Sequence, residues 1–363
     1  MATSNHRDAG AGGLLRRAMR ARPRLCALAL GVSAVLVLLL VAEVVLRVIH
    51  IGRGKPDSPY PKALIVKDAV LGYKPKAHGR CRVALLSPID ETKIQETVYS
   101  IDAHSRRLTP MRDSGDRKAF ALFFGGSVTF GQSVNDDETM PCCFGRFSAR
   151  YRPYNYGFCG YGPQAMLAKL QSEEIPGEVP QRSGIAVYTF IDGHIDRAIG
   201  SMCVHNLWGA HMPYYTLDSE GALVRRGDFT TGRPAVACAY WLLGQSAVIK
   251  ELKVDFPRRI GTAHLDLTCR IIEEAKREFE RQFHSEGFFV LFYPGSTYGW
   301  VLIPRLEASG VRCIDYSRLS EYASGPYVVP GDGHPSALCH HAIARRLALD
   351  IETRTSRRAA ARR

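Results

Sequence analysis

Two apolar patterns run along the chain. The first is unbroken: residues 26–42 carry no charge and are rich in Leu, Val and Ala, and Val44, Val45, Leu46, Val48 and Ile49 continue the run past Glu43. A stretch of this length crosses a bilayer as one tilted helix of about 20 residues. The second is a rhythm of short runs. Apolar segments at 119–124, 154–156, 185–191, 288–293 and 311–316 alternate with segments of helical character at 141–150, 163–173, 266–283 and 336–352. The runs at 185–191 and 288–293 are continuously apolar, as in strands covered on both faces of a parallel sheet. Within 266–283, Leu267, Ile271, Ile272, Ala275, Phe279 and Phe283 recur near a 3.6 period against a charged face. The alternation predicts an α/β protein: a three-layer α/β/α sandwich with a central parallel sheet. In such sheets ligands bind beyond the carboxyl ends of the strands.

The patterns also divide the chain. Residues 1–25 form a basic N-terminus and 26–49 a transmembrane helix. Residues 50–116 are polar, with scattered Pro and Gly; they read as a linker at 55–61 followed by a small strand-containing lead-in. The main domain spans 117–353. It holds an insertion at about 198–259, where Trp208, Tyr214, Tyr215, Tyr240 and Trp241 break the rhythm. The tail 354–363 is low-complexity Arg and Ala and reads as a frayed end.

Charge sharpens the picture. The net charge is +13, but residues 1–25 and the tail each contribute +5, leaving +3 for everything between. A body so close to neutral is a poor binder of phosphate backbones, so nucleic acid is not an expected partner. Five of the N-terminal arginines, Arg16 to Arg24, stand just before the apolar run. By the positive-inside rule they keep that end cytoplasmic and put the bulk of the chain outside, periplasmic or extracellular, with the bilayer as partner. The apolar run exceeds the core of a secretory signal, and no small-x-small cleavage site follows it, which favours a retained anchor. The ten cysteines (26, 81, 142, 143, 159, 203, 238, 269, 313 and 339) include no C-x-x-C pair and no zinc spacing. Pairing in an exported domain and burial as small apolar side chains both remain open.

The chemistry gathers at two places. Ala119–Phe124 runs into Gly125-Gly126-Ser127, where glycines permit a tight turn and hold a serine hydroxyl rigidly past a strand. A serine nucleophile needs a base and a third group to orient it. Asp332-Gly333-His334-Pro335, fenced by Pro330 and Gly331, offers both just before the last helix. A carboxylate so near an imidazole can fix its tautomer.

These stretches resemble the blocks of the SGNH (GDSL-type) hydrolase family, in the family's order. Gly125-Gly-Ser127-Val-Thr-Phe-Gly131 is similar to the first block, and Asn155-Tyr-Gly-Phe-Cys-Gly160-Tyr-Gly162 to the second. Ile191-Asp192-Gly193-His194-Ile-Asp196-Arg197 falls at the third, and Asp332-Gly-His334-Pro-Ser is similar to the fifth. The resemblance covers about 117–348, and membrane-anchored bacterial members share the N-terminal helix and lead-in. It implies a flavodoxin-like fold and a Ser-His-Asp mechanism without metal or cofactor. Ser127 would be the nucleophile, His334 the base and Asp332 its orienting acid. The oxyanion hole would be built from the N–H groups of Ser127 and Gly160. The third block departs from the pattern: the family's asparagine is replaced by His194, whose ring N–H would have to complete the hole. Cys159, beside Gly160, reads as packing.

The implied activity is that of an anchored, outward-facing serine esterase. It would remove or transfer an acyl group, such as acetyl, on a cell-envelope or exported polysaccharide, with Trp208 and Trp241 suited to stacking on sugar. Two alternatives stand beside it: an inactive SGNH-fold glycan-binding or scaffold protein of the envelope, and a lipase or lysophospholipase.

Overall fold

A computed structural model describes residues 23–51, 61–86, 93–111, 117–285 and 287–361. The basic stretch before Pro23 and most of the linker at 55–61 lie outside the described residues. The strands are β1 Ile65–Asp68, β2 Gly72–Pro75, β3 Arg80–Leu86, β4 Lys93–Ser100, β5 Ala119–Phe124, β6 Tyr151–Asn155, β7 Ser183–Phe190, β8 Pro213–Leu217, β9 Leu223–Asp228, β10 Phe288–Phe292 and β11 Arg312–Asp315. The helices named below are α1 Pro23–Ile51, α2 Met140–Phe147, α3 Pro163–Gln171, α4 Gly193–Ile199, α5 Pro234–Leu243, α6 Ala247–Glu251, α7 Thr262–Phe283, α8 Gly299–Ala308 and α9 Ala337–Ala361.

The chain forms two compact units. One joins Met1–Lys55 to Leu242–Val254, and the other comprises Pro56–Trp241 and Asp255–Arg363. The first is built on α1, whose stretch Ala27–Ile49 is apolar enough to cross a membrane and is not buried against protein. Residues 242–254, read from sequence as part of the 198–259 insertion, cluster with this helix.

The second unit is the α/β sandwich. Its five-stranded sheet has the order β11-β10-β7-β5-β6, with every neighbouring pair parallel. From β5 the chain steps to β6 on one side and then to β7 on the other, so the strand order reverses at β5. That reversal opens a crevice at the carboxyl end of β5. Strand pleating sends alternate residues to opposite faces. Phe120, Leu122 and Phe124 of β5 pack with α3, α4, α7 and α8, while Ala119, Ala121 and Phe123 pack with α2 and α9. Helix α7 buries Ile271, Ile272, Ala275, Phe279 and Phe283, the stripe its periodicity predicts.

The lead-in forms two antiparallel pairs, β1 with β2 and β3 with β4. Tyr73 and Tyr99 from these strands join Phe130, Phe158 and Tyr161 in a third core beneath the loops that follow β5 and β6. A further antiparallel pair, β8 with β9, comes from the insertion. The cysteines among the described residues, Cys81 through Cys339, are all free thiols, and six are buried. The tail departs from the frayed end expected of it. Helix α9 continues to Ala361, because Arg and Ala are strong helix formers and neither Gly nor Pro interrupts them.

Candidate active site

Strand β5 ends at Phe124, and Ser127 opens a single helical turn, Ser127–Phe130, with Gly126 as its N-cap. At that first position the Ser127 N–H has no intrahelical acceptor. Gly126 has to be glycine because of close approach. A Cβ there would collide with the Arg197 guanidinium and lie 3.1 Å from both His194 Nε2 and the Tyr161 carbonyl oxygen.

The loop before α9 is pinned by its own backbone. The Val329 N–H donates to the His334 carbonyl at 2.8 Å and the Ser336 N–H to the Tyr327 carbonyl at 2.8 Å. This brings His334 Nε2 to 2.8 Å from Ser127 Oγ, and His334 Nδ1 to 2.9 Å from Asp332 Oδ2. Serine, histidine and carboxylate thus stand in one hydrogen-bonded row, although more than 200 residues separate its ends in sequence. Ser127 is 7% exposed.

Asp332 is held by two further residues that sequence reasoning missed. The Ser133 hydroxyl donates to Oδ2 at 2.6 Å and Gln132 Nε2 to Oδ1 at 3.3 Å. Ser133 is itself fixed by its N–H, which donates to the Tyr99 hydroxyl at 2.9 Å. Burial pushes the Asp332 carboxyl up, but the bond and charge of His334 with the bonds from Ser133 and Gln132 outweigh it and hold the group below its ordinary value. The signal for both lay in the run Gly131-Gln-Ser133, six residues beyond the nucleophile position, but nothing in that run pointed to residue 332.

His194 opens α4 and is 1% exposed. Its Nδ1 stands 2.7 Å from the Tyr188 hydroxyl of β7, while its buried Nε2, on the Gly126 side, has no partner among the described residues. Burial, reinforced by the positive charge of Arg197, pushes the imidazole well below its usual range. The ring is therefore neutral and carries one proton. If the Tyr188 hydroxyl donates to Nδ1, that proton belongs on Nε2. Arg197, three residues on, donates from Nη1 to the Tyr161 carbonyl at 2.8 Å. Tyr188 was not singled out from sequence, since it sits inside an apolar strand run, and Arg197 stood at the end of the third block with no role assigned to it. Asp192 turns elsewhere. It accepts from the hydroxyls of Ser296 at 2.7 Å and Thr297 at 2.6 Å, and from the Thr297 N–H at 2.8 Å, tying down the approach to α8.

Gly160 adopts φ +83°, and a Cβ there would strike the Tyr73 hydroxyl and the Trp208 ring. Tyr73 donates to the Cys159 carbonyl at 2.7 Å and Trp208 Nε1 to the Gly160 carbonyl at 3.3 Å, so both clamp this turn. Trp208 therefore packs on the Gly160 turn, whereas Trp241, on α5, is not part of the group around Ser127. Cys159 is buried with its Sγ 3.3 Å from Gln132 Oε1, and burial pushes its thiol up to about 12. Among the described residues no group of three or more His, Cys, Asp or Glu side chains is placed to hold a metal ion.

Neither a family model nor a curated protein matches the chain. Among solved structures, a member of the lipolytic protein G-D-S-L family from Veillonella parvula is similar to it, with a TM-score of 0.37 at 13% identity over 65% of this chain and 99% of that one.

Proposed function

We propose that the chain is a membrane-anchored serine ester hydrolase of the SGNH type. The observation that carries this reading is the row Ser127 Oγ, His334 Nε2, His334 Nδ1, Asp332 Oδ2, with neighbouring contacts of 2.8 and 2.9 Å. Ser127 Oγ attacks the ester carbonyl while His334 Nε2 takes its proton. The C–O bond to the leaving alcohol then breaks, and His334 returns the proton to that oxygen. Water, deprotonated by the same imidazole, attacks the acyl-enzyme, releases the acid and restores the Ser127 hydroxyl. Asp332 keeps Nδ1 protonated and stabilises the imidazolium.

The tetrahedral oxyanion is held by the N–H groups of Ser127 and Gly160 and by His194 Nε2–H, with Tyr188 setting the His194 tautomer. A neutral imidazole can fill the place of an asparagine because the hole needs one rigid N–H donor, not a charge. The acyl group in this reading is small, such as acetyl. The proposed substrate is an acetylated envelope or exported polysaccharide, reached from an outward-facing domain anchored by α1. Purified protein assayed on acetylated sugars and on long-chain esters tests this. Release of acetate that Ser127→Ala abolishes supports the reading, and preferential cleavage of long-chain esters overturns the substrate assignment.

A further inference from the structure

Glu43 is the one acidic residue in the apolar stretch Ala27–Ile49 of α1. A carboxylate facing acyl chains is costly unless paired. Here a distant part of the same compact unit pairs it. The Ser246 hydroxyl donates to Glu43 Oε2 at 2.8 Å, the Ala247 N–H to Oε1 at 2.8 Å and the Val248 N–H to Oε2 at 3.2 Å. The two N–H groups are the first donors of α6, which have no acceptor inside their own helix. Arg47, one turn further along α1, bonds Glu43 Oε1 through Nε at 2.7 Å and the Gln245 carbonyl through Nη2 at 3.2 Å. Glu43 therefore completes the N-terminal capping of a helix some 200 positions away, whose N-cap residue Ser246 accepts from the Ile249 N–H at 3.2 Å.

The depth of that contact identifies what surrounds it. Glu43 stands six residues, about 9 Å along the helix axis, before the end of the apolar stretch at Ile49. A segment bound there sits about as deep as the ~5–10 Å to which interfacial segments bury their apolar face. Its side chains suit that boundary: Leu242 is 58% exposed and Leu252 68% exposed, with Lys250 and Lys253 among them, and Trp241 precedes them in the chain. Exposed leucines interspersed with lysines, whose long stems let the charge reach the headgroups, suit a membrane interface.

We infer that Leu242–Val254 is a second membrane contact, lying in the lipid interface beside the C-terminal end of α1, with lipid as the occupant of its exposed leucines. The inference rests on reading α1 as a bilayer span retained in the mature chain. It also gives a reason for retention, since cleavage after α1 would strip Ser246, Ala247 and Val248 of their acceptor.

The test uses the full-length chain in phosphatidylcholine liposomes, with Trp208→Phe and Trp300→Phe so that Trp241 is the one indole left. Lipids brominated near the headgroup end of the acyl chain should cut its fluorescence about twofold or more, as for an indole in the interface. An alkaline carbonate wash separates the outcomes. A chain that stays in the membrane while Trp241 is unquenched overturns the lipid contact and spares the span. A chain that washes off overturns both. In the otherwise unmodified chain, Glu43→Leu should speed amide exchange at Ala247 and Val248 about tenfold, the loss of a helix cap, and leave α7 unchanged. Unchanged exchange at 247 and 248 overturns the Glu43 cap.

Discussion

His194 is where this chain departs furthest from the pattern it resembles, and its surroundings state what the departure requires. A buried ring beside Arg197 does not protonate in the ordinary range, so it offers one N–H and no charge. His194→Ala should lower kcat about 10²- to 10³-fold with little change in KM, the loss of one oxyanion donor, measured on a small acetyl ester. Tyr188→Phe keeps the ring but frees its tautomer. Nitrogen-15 NMR should show the His194 proton moving off Nε2, with a smaller fall in kcat. Asp332 makes a pH prediction. Its folded carboxyl lies below its unfolded value, so its contribution to stability is present above the unfolded value near ~3.9 and is lost as pH falls through the folded one. The stability gap between wild type and Asp332→Asn, followed by denaturant unfolding, should therefore shrink between about pH 5 and about pH 3. Ser127, Asp332 and His334 were legible because glycines and prolines punctuate the chain around them. Ser133, Gln132 and Tyr188 were not. Their roles depend on which loop folds back onto which strand, and a tyrosine in an apolar run looks like core.

At the scale of elements, the loop after β5 is the part most in need of support, because beyond the single turn that opens at Ser127 it carries Gln132 and Ser133 without regular structure. Arg107, from the lead-in, supplies that support while fully buried. Its guanidinium donates to the carbonyls of Phe130 at 3.2 Å, Gly131 at 3.1 Å and Val134 at 2.8 Å, and pairs with Asp136 at 2.6 Å. Arg107→Met would take a donor from each of these carbonyls and leave Asp136 half-buried beside the Ser100 N–H without its charged partner. The expected cost is about 3–5 kcal/mol, read as a lowered denaturation midpoint, with ester cleavage lost before the fold. Arg107 had no sequence signal, since an arginine beside Arg106 in a polar stretch looks solvated. The five strands of the sheet and helices α2, α3 and α7 were legible from their apolar patterns, with ends displaced by a few residues, whereas α4 and α8 were not, and α9 runs nine residues beyond the helix expected at 336–352. The region 198–259 was not legible, because its aromatic residues follow neither period. Nor did sequence show that 242–254 belongs with α1, a contact made by Glu43 with three donors and by Arg47 with the Gln245 carbonyl.

At the scale of the whole molecule, the charge that looks like a nucleic-acid signal sits at the two ends, and the body between is nearly neutral. Strand order puts Ser127 at the reversal point of the sheet. The central claim is that Ser127 is an activated nucleophile with His334 as its base. Labelling the purified protein with a fluorophosphonate probe tests it most directly, with Ser127→Ala and His334→Ala alongside. The account predicts that wild type is labelled and both variants are not. A folded wild-type protein that takes no label, or a Ser127→Ala protein that labels as well as wild type, would contradict it.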